Sequence, residues 1–315
     1  TRALNLRAID QLGIRRLTTD SRRVKRGDTF VAYPGESRDG RSYIAQAIVN
    51  GASSVLWEQR GFEWQRAWRV PNLGVAQLRV RAGVIASHIY AYPSARLWMT
   101  GVTGTNGKTT CSHWIARALN DCGVRIAVIG TLGYGMRGRF QPLVNTTPDA
   151  VWLHAQLAAL ARRGAQAVSM EVSSIGIDQD RIAGVQFDVA LFTNLTRDHL
   201  EYHRTMRRYR AAKARLFECA SLKHAVLNLD DGFGVELSRR IPRRGLEVLG
   251  YGFGSAAGAA RRLPRVVGSN LVTGAAGVRF DVATPWGASA VASPAIGRYN
   301  ASNLLGVLAV LLASG

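Results

Sequence analysis

Short apolar runs alternate with amphipathic segments in the first third of the chain. This alternation is typical of strands that are separated by helices with one apolar face. The segment at 92–96, which contains Pro93, is typical of a linker. The pattern therefore predicts a small α/β domain over residues 1–95. Its predicted elements are strands at 29–33 and 53–58 and helices at 42–52 and 76–91.

From Leu97 onward the same alternation becomes regular and predicts a doubly wound, mainly parallel sheet. After about residue 245 the chain is rich in glycine, and short strands punctuated by turns are expected there. The predicted fold class is α/β, with a central domain at 96–315 that carries a small β extension. The predicted strands are 96–102, 125–130, 165–172, 187–195 and 224–231, and the predicted helices are 107–122, 149–163, 202–219 and 300–313.

The composition is that of a globular protein without a membrane span. The chain has 315 residues, of which 47% are apolar, and a mean hydropathy of −0.02. The longest apolar run, 304–313, is about half of a membrane span, and no charged-then-apolar leader opens the sequence. The three cysteines have no metal-type spacing, and Cys111 and Cys122 are expected to fill a core together. We therefore expect a reducing, cytoplasmic location.

The net charge of +20 admits two interpretations. A basic excess is typical of proteins that bind nucleic acid or anionic small molecules. Of the 41 basic residues, however, 37 are arginine, and this bias is also what a genome-wide codon preference would give. The arginines scatter instead of clustering, and no motif that reads RNA or DNA is present, so a nucleic-acid-binding NTPase is the weaker alternative. A lysine retained among so many arginines indicates a place where a guanidinium cannot substitute.

Residues 101–110 read GVTGTNGKTT and lie between a predicted strand and a predicted helix. A phosphate-binding loop normally reads G-x-x-x-x-G-K-[ST], and here Val102 stands where the first glycine is expected. The backbone N–H groups and the helix N-terminus would hold phosphate oxygens. Lys108 would reach the terminal phosphates and the Thr109 hydroxyl would bind Mg²⁺. The competing interpretation is a glycine-rich turn with a coincidental GKT.

Two other strand ends supply candidate ligands for a magnesium ion. Ligands gather at the carboxyl ends of the strands in an open parallel sheet. Glu171 ends one strand, while Asn194, Asp198 and His199 follow the next. A carboxylate in an apolar strand is costly without a partner, so Glu171 is either a metal ligand or one half of a structural ion pair. His199 could equally be a histidine satisfied by hydrogen bonds near a helix start.

Lys213 lies in the middle of an apolar stripe on the helix predicted at 202–219. Projection at helical spacing puts it on the face of the apolar residues and away from the neighbouring arginines. A lysine that faces inward needs a partner or a modification, although a lysine at the edge of the stripe could reach solvent. We expect Lys213 to face the site. The stripe consists of Met206, Tyr209, Leu216, Phe217 and Ala220.

With these residues together, nearly the whole chain resembles the Mur ligases of peptidoglycan synthesis, most closely their MurE branch. That branch joins the third amino acid to UDP-N-acetylmuramoyl-L-alanyl-D-glutamate. The family loop is G-T-N-G-K-T-T, without the extra glycine. The motifs that carry the resemblance are DSRRVKRGDTFVA, DGRSYIAQAIVNGA, GVTGTNGKTT, NTTPD, EVSS with DQDR, TNLTRDHLEYH, AAKARLF and GRYNASN.

The resemblance implies a mechanism and a set of site residues. ATP would phosphorylate the glutamyl carboxylate, and the amine of the incoming amino acid would displace phosphate from the acyl phosphate. Lys213 matches the family lysine that CO₂ carbamylates, and Lys108, Lys213 and His199 are the implied catalytic residues. The implied Mg²⁺ ligands are Thr109, Glu171, His199 and carbamylated Lys213. The implied ATP contacts are Gly104, Thr105, Asn106, Gly107, Lys108, Thr109, Thr110, Asn300 and Asn303. The implied contacts of the UDP substrate are Thr19, Ser21, Arg22, Asn145, Thr146, Thr147, Ser173, Gln179 and Arg181.

The sequence also departs from the family pattern. The family commonly has a histidine after EVSS where this chain has Ile175. The family has a third domain that binds the amino acid, and we expect this chain to lack it and to bind nucleotide without completing ligation. We expect a monomer whose substrates are the UDP-muramoyl dipeptide and either meso-diaminopimelate or lysine. A related synthetase of the folylpolyglutamate type, or an amidotransferase subunit, is an alternative that leaves the amino-terminal domain unexplained.

Overall fold

The computed structural model describes residues 4–36, 38–241, 245–254 and 262–315. The chain divides into two compact units. The first unit contains the residues up to Arg96 and two later segments, Pro148–Arg163 and Gln179–Val185. The second contains Leu97–Thr147, Gly164–Asp178 and Gln186–Gly315. The sequence pattern did not predict that the two later segments return to the first unit.

The first unit is built on a parallel sheet of four strands in the order β1-β2-β3-β4. Alternate side chains of β2 and β3 point to opposite faces. Val31 and Leu56 join a core with residues of the helices at 6–10, 78–89 and 150–162, while Phe30 and Val55 join one with residues of the helix at 44–49. The elements are α1 Leu6–Asp10, β1 Leu17–Thr18, β2 Thr29–Ala32, α2 Ile44–Val49, β3 Ser54–Glu58, β4 Asn72–Val75 and α3 Leu78–Ile89.

The second unit is built on a sheet of eleven strands, which confirms the predicted α/β class. The inner strands run parallel in the order β6-β9-β5-β10-β11-β12-β13, and antiparallel hairpins extend the sheet at both ends. Its first elements are β5 Trp98–Thr103, α4 Lys108–Asp121, β6 Ile126–Gly130, β7 Gly133–Met136 and β8 Arg139–Gln141. Helix α5 Ala150–Arg162 belongs to the first unit.

The remaining elements complete the sheet of the second unit. They are β9 Ala167–Glu171, α6 Ser174–Asp178, β10 Val189–Phe192, α7 Leu200–His203, α8 Met206–Ala214, β11 His224–Asn228, α9 Gly232–Arg240, β12 Glu247–Gly252, β13 Arg265–Gly274, β14 Gly277–Thr284, β15 Gly287–Ser293 and α10 Arg298–Ala313. The strands after residue 245 are longer than the short strands predicted there. Part of the Gly/Ala/Arg-rich stretch at 252–265 lies outside the described residues.

The prediction of one continuous helix over 202–219 is wrong. Arg204 adopts a left-handed backbone with φ of 65°, which ends α7, and the Thr205 side chain then caps α8. The chain continues as a 3-10 helix over Arg215–Glu218. The projected stripe therefore fails at its far end, where Ala220 is exposed.

The pairing of Cys111 and Cys122 in one core is also wrong. Cys111 is buried among the apolar residues under α4, whereas Cys122 is exposed because α4 ends at Asp121. Among the residues that the structure describes, no helix combines the length and the apolar character that a membrane crossing requires.

Candidate nucleotide and metal site

The loop between β5 and α4 lies at the middle of the large sheet. Strand β5 pairs with β10 on one side and β9 on the other, so its carboxyl end adjoins those of two parallel neighbours. Gly104 has φ of 152°, and a Cβ there would lie 1.9 Å from Thr193 Oγ1. Gly107 has φ of 86°, and a Cβ there would lie 2.6 Å from Asn303 Oδ1. Both glycines are therefore required by backbone conformation and by space.

The residues after β10 hold this loop in place. Asn194 accepts the N–H of Thr105 through its carbonyl at 2.8 Å and the N–H of Asn106 through its side chain at 3.0 Å. Thr193 Oγ1 donates to Asn106 O at 2.6 Å. Asn194, a candidate ligand by sequence, thus acts as a brace of the loop. The loop is preorganised by its neighbour strand before any ligand is considered.

The start of α4 presents free backbone donors to the loop. Its first intrahelical bond runs from Cys111 N to Gly107 O at 2.8 Å. The N–H groups of Lys108, Thr109 and Thr110 therefore have no carbonyl partner within the helix. Such donors, with the positive end of the helix dipole, form an anion site.

Lys108 and Lys213 converge on the carbonyl of Gly104. Lys213 Nζ donates to Gly104 O at 2.7 Å and lies 4.5 Å from the centre of the Tyr209 ring. Lys108 Nζ donates to Gly104 O at 3.0 Å and to Thr105 O at 2.7 Å. Lys213 is 1% exposed, so the prediction that it faces inward is confirmed.

Desolvation lowers the pKa of both amines. Desolvation, and then the neighbouring Lys108, lowers the pKa of Lys213 well below its usual value, while Asp198 opposes this shift. Desolvation also lowers the pKa of Lys108, against the fields of Glu171 and Asp198. Among the described residues no carboxylate forms an ion pair with Lys213. Burial and the neighbouring Lys108 therefore both disfavour the charged form of Lys213.

Glu171 ends β9 and is completely buried beside the first turn of α4. Its Oε2 accepts from Thr109 Oγ1 at 2.9 Å and from Thr131 Oγ1 at 3.1 Å, and its Oε1 accepts from Thr131 N at 2.8 Å. All three donors are neutral, and the described residues give Glu171 no ion pair. A buried carboxylate beside a hydroxyl and free helix donors fits the oxygen-rich ligand set that Mg²⁺ prefers.

His199 is not brought to Thr109 or Glu171 by any contact of the described residues. It has φ of 51°, and its ring lies 3.5 Å from both Asp198 Oδ2 and Glu201 Oε1. Within the described ranges, no three His, Cys, Asp or Glu side chains are grouped to hold a metal. The four predicted ligands therefore divide into a connected pair, Thr109 and Glu171, and a second pair, Lys213 and His199, which both lie against the Tyr209 ring.

Two of the predicted substrate contacts meet behind Glu171. Thr147 Oγ1 lies 3.1 Å from both Glu171 O and Ser173 Oγ, and it accepts the N–H of Ser173 at 2.9 Å. Thr146 Oγ1 lies 3.0 Å from Thr131 Oγ1. Asn145 is exposed on the segment that precedes them. The NTTPD motif thus adjoins the carboxyl end of β9 through its threonines.

The other predicted substrate contacts belong to the first unit. Arg22 donates to Asp20 from Nε at 2.9 Å and from Nη2 at 2.8 Å, and this pairing lowers the pKa of Asp20. Ser21 is buried, and Arg181 Nε donates to Gln179 Oε1 at 2.9 Å. The remaining predicted contact is Thr19, which hydrogen-bonds Asp149.

The start of α10 packs on the phosphate loop. Asn303 is buried, its Nδ2 lies 3.4 Å from Asn300 Oδ1, and its own Oδ1 faces Gly107. Asn300 donates to Ile296 O at 3.0 Å. The structure thus brings Asn303 to the loop, with Asn300 beside it on the same helix.

Sequence reasoning missed two residues of this site. Thr131 contacts both oxygens of Glu171, and Tyr209 joins Thr105 Oγ1 through its hydroxyl at 3.1 Å while its ring underlies Lys213. Tyr209 was predicted only as part of the apolar stripe. Thr131 could have been predicted from the sequence, because it directly follows a buried strand and so lies at the same edge of the sheet where Glu171 was expected.

Comparison with known families identifies the chain. A model described as "Mur ligase middle domain" matches residues 102–311, and one described as "Mur ligase family, catalytic domain" matches residues 13–90. The chain belongs to the Mur ligase family. The resemblance seen in its motifs is thereby confirmed, and the phosphate loop, Glu171 and Lys213 all lie in the part that matches the middle domain.

Relatives of this Mur ligase chain include two curated proteins named UDP-N-acetylmuramoyl-L-alanyl-D-glutamate--2,6-diaminopimelate ligase. The one from Nitrosomonas europaea is 49% identical over 96% of this chain and 58% of its own length. The one from Chromobacterium violaceum is 46% identical over 98% of this chain and 61% of its own length. A solved structure of a protein with the same name aligns with a TM-score of 0.80 and 32% identity, over 96% of this chain and 59% of that one. The chain thus spans about three fifths of these relatives.

Proposed function

We propose that this chain is the nucleotide- and precursor-binding part of an ATP-dependent amide-bond ligase. The reaction adds meso-diaminopimelate, or lysine, to UDP-N-acetylmuramoyl-L-alanyl-D-glutamate in the cytoplasm. The observation that carries the proposal is the buried Lys213, which shares the Gly104 carbonyl with the loop lysine Lys108. A phosphate-binding loop needs one lysine for the phosphates, and a second, desolvated lysine has no function in it. In a ligase that carbamylates this second lysine, the lysine supplies a metal ligand. The names of the relatives favour diaminopimelate over lysine.

In this mechanism the chain mainly positions the reactants. The N–H groups at the start of α4 and the ammonium of Lys108 hold the phosphates of ATP in line with the glutamyl carboxylate. Thr109, Glu171, His199 and carbamylated Lys213 would hold Mg²⁺, which neutralises charge on the transferring phosphoryl group. Transfer of the γ-phosphoryl group to the carboxylate gives an acyl phosphate. The amine of the amino acid then attacks the acyl carbon, and phosphate leaves as the amide bond forms.

Lys213 contributes a carboxylate where the sequence encodes an amine. Its neutral amine attacks CO₂, a C–N bond forms, and one proton is released to give the carbamate. Burial favours this step because it lowers the pKa of the amine and so increases its neutral fraction. The carbamate carries a negative charge, so it would attract Lys108 in place of repelling it. Arginine cannot form this group, which explains a lysine in an arginine-rich chain.

The substrate contacts are proposed on the pattern of the motifs. In the second unit they are Asn145, Thr146, Thr147 and Ser173, and the ATP contacts are residues 104–110 with Asn300 and Asn303. In the first unit they are Thr19, Ser21, Arg22, Gln179 and Arg181. We propose that the protein acts as a monomer with these small-molecule substrates and without nucleic acid.

The test measures product formation by the complete gene product. With ATP, Mg²⁺, the UDP-muramoyl dipeptide and diaminopimelate, we expect the UDP-muramoyl tripeptide and one ADP per amide bond. Lys213→Arg is expected to retain the fold and to form no product at any bicarbonate concentration. Residues 1–315 alone are expected to bind MgADP and the UDP-muramoyl dipeptide. Absence of dipeptide binding, together with tight, strongly salt-dependent binding of random-sequence DNA, would overturn the proposal.

A further inference from the structure

Thr131 fixes both oxygens of Glu171 from one position. It follows β6, the strand beside β9, so its backbone reaches the end of the strand that carries the carboxylate. Its N–H donates to Oε1 at 2.8 Å and its hydroxyl donates to Oε2 at 3.1 Å. The preceding Gly130 leaves room for this approach, because a Cβ there would lie 2.2 Å from Oε1. The carboxylate rotamer is therefore set by Thr131 together with Thr109.

The same hydroxyl connects Glu171 to the NTTPD motif. A hydroxyl has one proton, and Thr131 Oγ1 gives it to Glu171, so Oγ1 must accept from Thr146 Oγ1 at 3.0 Å. The chain of donors runs from Thr146 through Thr131 to Glu171. Bonds in such a chain polarise one another, so a change at one end alters the other.

We propose that Thr131 is a positioning residue that couples the carboxylate at the nucleotide to the segment that binds the UDP-muramoyl dipeptide. The inference rests on the proposed function for the identity of that substrate. When the dipeptide orders Thr146, its hydroxyl stays directed at Thr131, and Glu171 is held in the conformation that the magnesium nucleotide requires. By reciprocity, the bound nucleotide raises the affinity for the dipeptide by the same factor.

Binding measurements on residues 1–315 test this coupling without any turnover. Calorimetry would give the Kd of MgADP with and without saturating UDP-N-acetylmuramoyl-L-alanyl-D-glutamate, and the Kd of the dipeptide with and without MgADP. We expect each ligand to tighten the other about fivefold or more in the unaltered chain, the lower end of typical allosteric couplings. Thr131→Val keeps the shape and the N–H but removes the hydroxyl, and its coupling factor is expected to fall below about twofold.

Two further variants separate coupling from a structural role. Thr131→Ser restores the hydroxyl and is expected to restore the coupling, while Thr146→Val breaks the far end of the chain and is expected to remove it. If Thr131 only stabilises the fold, Thr131→Val would lower the affinity for both ligands and leave the coupling factor unchanged. That result overturns the inference. No coupling in the unaltered chain overturns it as well. If the unaltered chain does not bind the dipeptide, the proposed function has failed as well as this inference.

Discussion

Lys108 and Lys213 donate hydrogen bonds to the same carbonyl oxygen, that of Gly104, at 3.0 and 2.7 Å. One lysine comes from the first turn of α4, and the other from α8, more than a hundred residues later. Two desolvated amines at one acceptor, Lys213 fully buried and Lys108 half-buried, are unfavourable while both are charged, and the pKa of each is lowered. The site therefore carries a cost to stability, which the carbamate proposed for Lys213 would relieve.

Replacing Lys213 with methionine should stabilise the fold. Burial lowers the pKa of Lys213 in the folded chain. At pH values between this lowered pKa and the ordinary 10.5, the unfolded chain therefore binds more protons than the folded chain, and this difference lowers the free energy of unfolding. The cost of Lys213 is therefore largest at low pH and declines as pH rises toward 10.5. In bicarbonate-free buffer we expect Lys213→Met to melt higher than the unaltered chain, by about 2–4 °C for each kcal/mol gained.

The control for this experiment is pH itself. The difference in melting temperature between the variant and the unaltered chain should be larger at pH 6 than at pH 9. As pH approaches 10.5, the lysine loses its proton in the unfolded chain too, so burying a neutral amine no longer costs free energy of unfolding. A variant that is less stable at pH 6 would show that Lys213 contributes favourable interactions that outweigh its burial.

Removing the Thr109 hydroxyl should weaken the magnesium form of the nucleotide. Thr109 Oγ1 is 2.9 Å from Glu171 Oε2 at the start of α4. Thr109→Val keeps the shape of the side chain but removes the hydroxyl that donates to Glu171. We expect about tenfold weaker MgADP binding by calorimetry, which is the size of effect expected when one hydrogen bond to a charged group is lost. Thr109→Ser should bind within about threefold of the unaltered chain. Equal weakening in EDTA would contradict a role for the hydroxyl in the metal site.

Gly104→Ala should disrupt the loop and the fold around it. The added Cβ would lie 1.9 Å from Thr193 Oγ1, at a backbone φ of 152°. We expect a loss of about 2 kcal/mol or more in the free energy of unfolding, together with loss of MgADP binding. Gly232→Ala is the matched control, because a Cβ there meets nothing within 4 Å. Comparable destabilisation by both substitutions would refute the steric argument.

His154 should make stability depend on pH. It is fully buried on α5, its Nε2 donates to Ala183 O at 2.9 Å, and burial lowers its pKa to about 4. Between about pH 4 and the ordinary 6.5 the unfolded chain binds more protons, so the free energy of unfolding falls as pH drops through this window. The full effect of His154 is about 3 kcal/mol.

Urea titrations of His154→Gln isolate this contribution, because glutamine keeps a donor without titrating. Between pH 7 and pH 4 the unaltered chain should lose about 3 kcal/mol more than the variant. Parallel pH dependence of the two proteins would show that His154 does not titrate in this window.

The sequence predicted those features of the site that depend on local spacing. Lys213 was expected to face inward because it shares a helical face with Tyr209, and both are buried. The loop at 101–110 was correctly predicted to lie between a strand and a helix, because an apolar run precedes it and an amphipathic segment follows it. The role of Thr131 was not predictable in the same way, since forty residues separate it from Glu171 and only the order of β6 and β9 brings them together.

The break between α7 and α8 could not be read from the pattern either. Arginine rarely adopts a left-handed backbone, so nothing in the spacing marks Arg204 as the end of a helix. The return of Pro148–Arg163 and Gln179–Val185 to the first unit is likewise a long-range property. His154 shows why, since Ala183, which accepts its hydrogen bond, lies on the second of these segments.

The most direct test of the account asks whether Lys213 carries a carbamate. Residues 1–315 would be equilibrated with ¹³C-labelled bicarbonate and observed by ¹³C NMR, with Lys213→Arg measured in parallel. We predict one carbamate resonance in the unaltered chain and none in the variant, since only a neutral amine at this position can take up CO₂. Identical spectra for the two proteins would contradict the account.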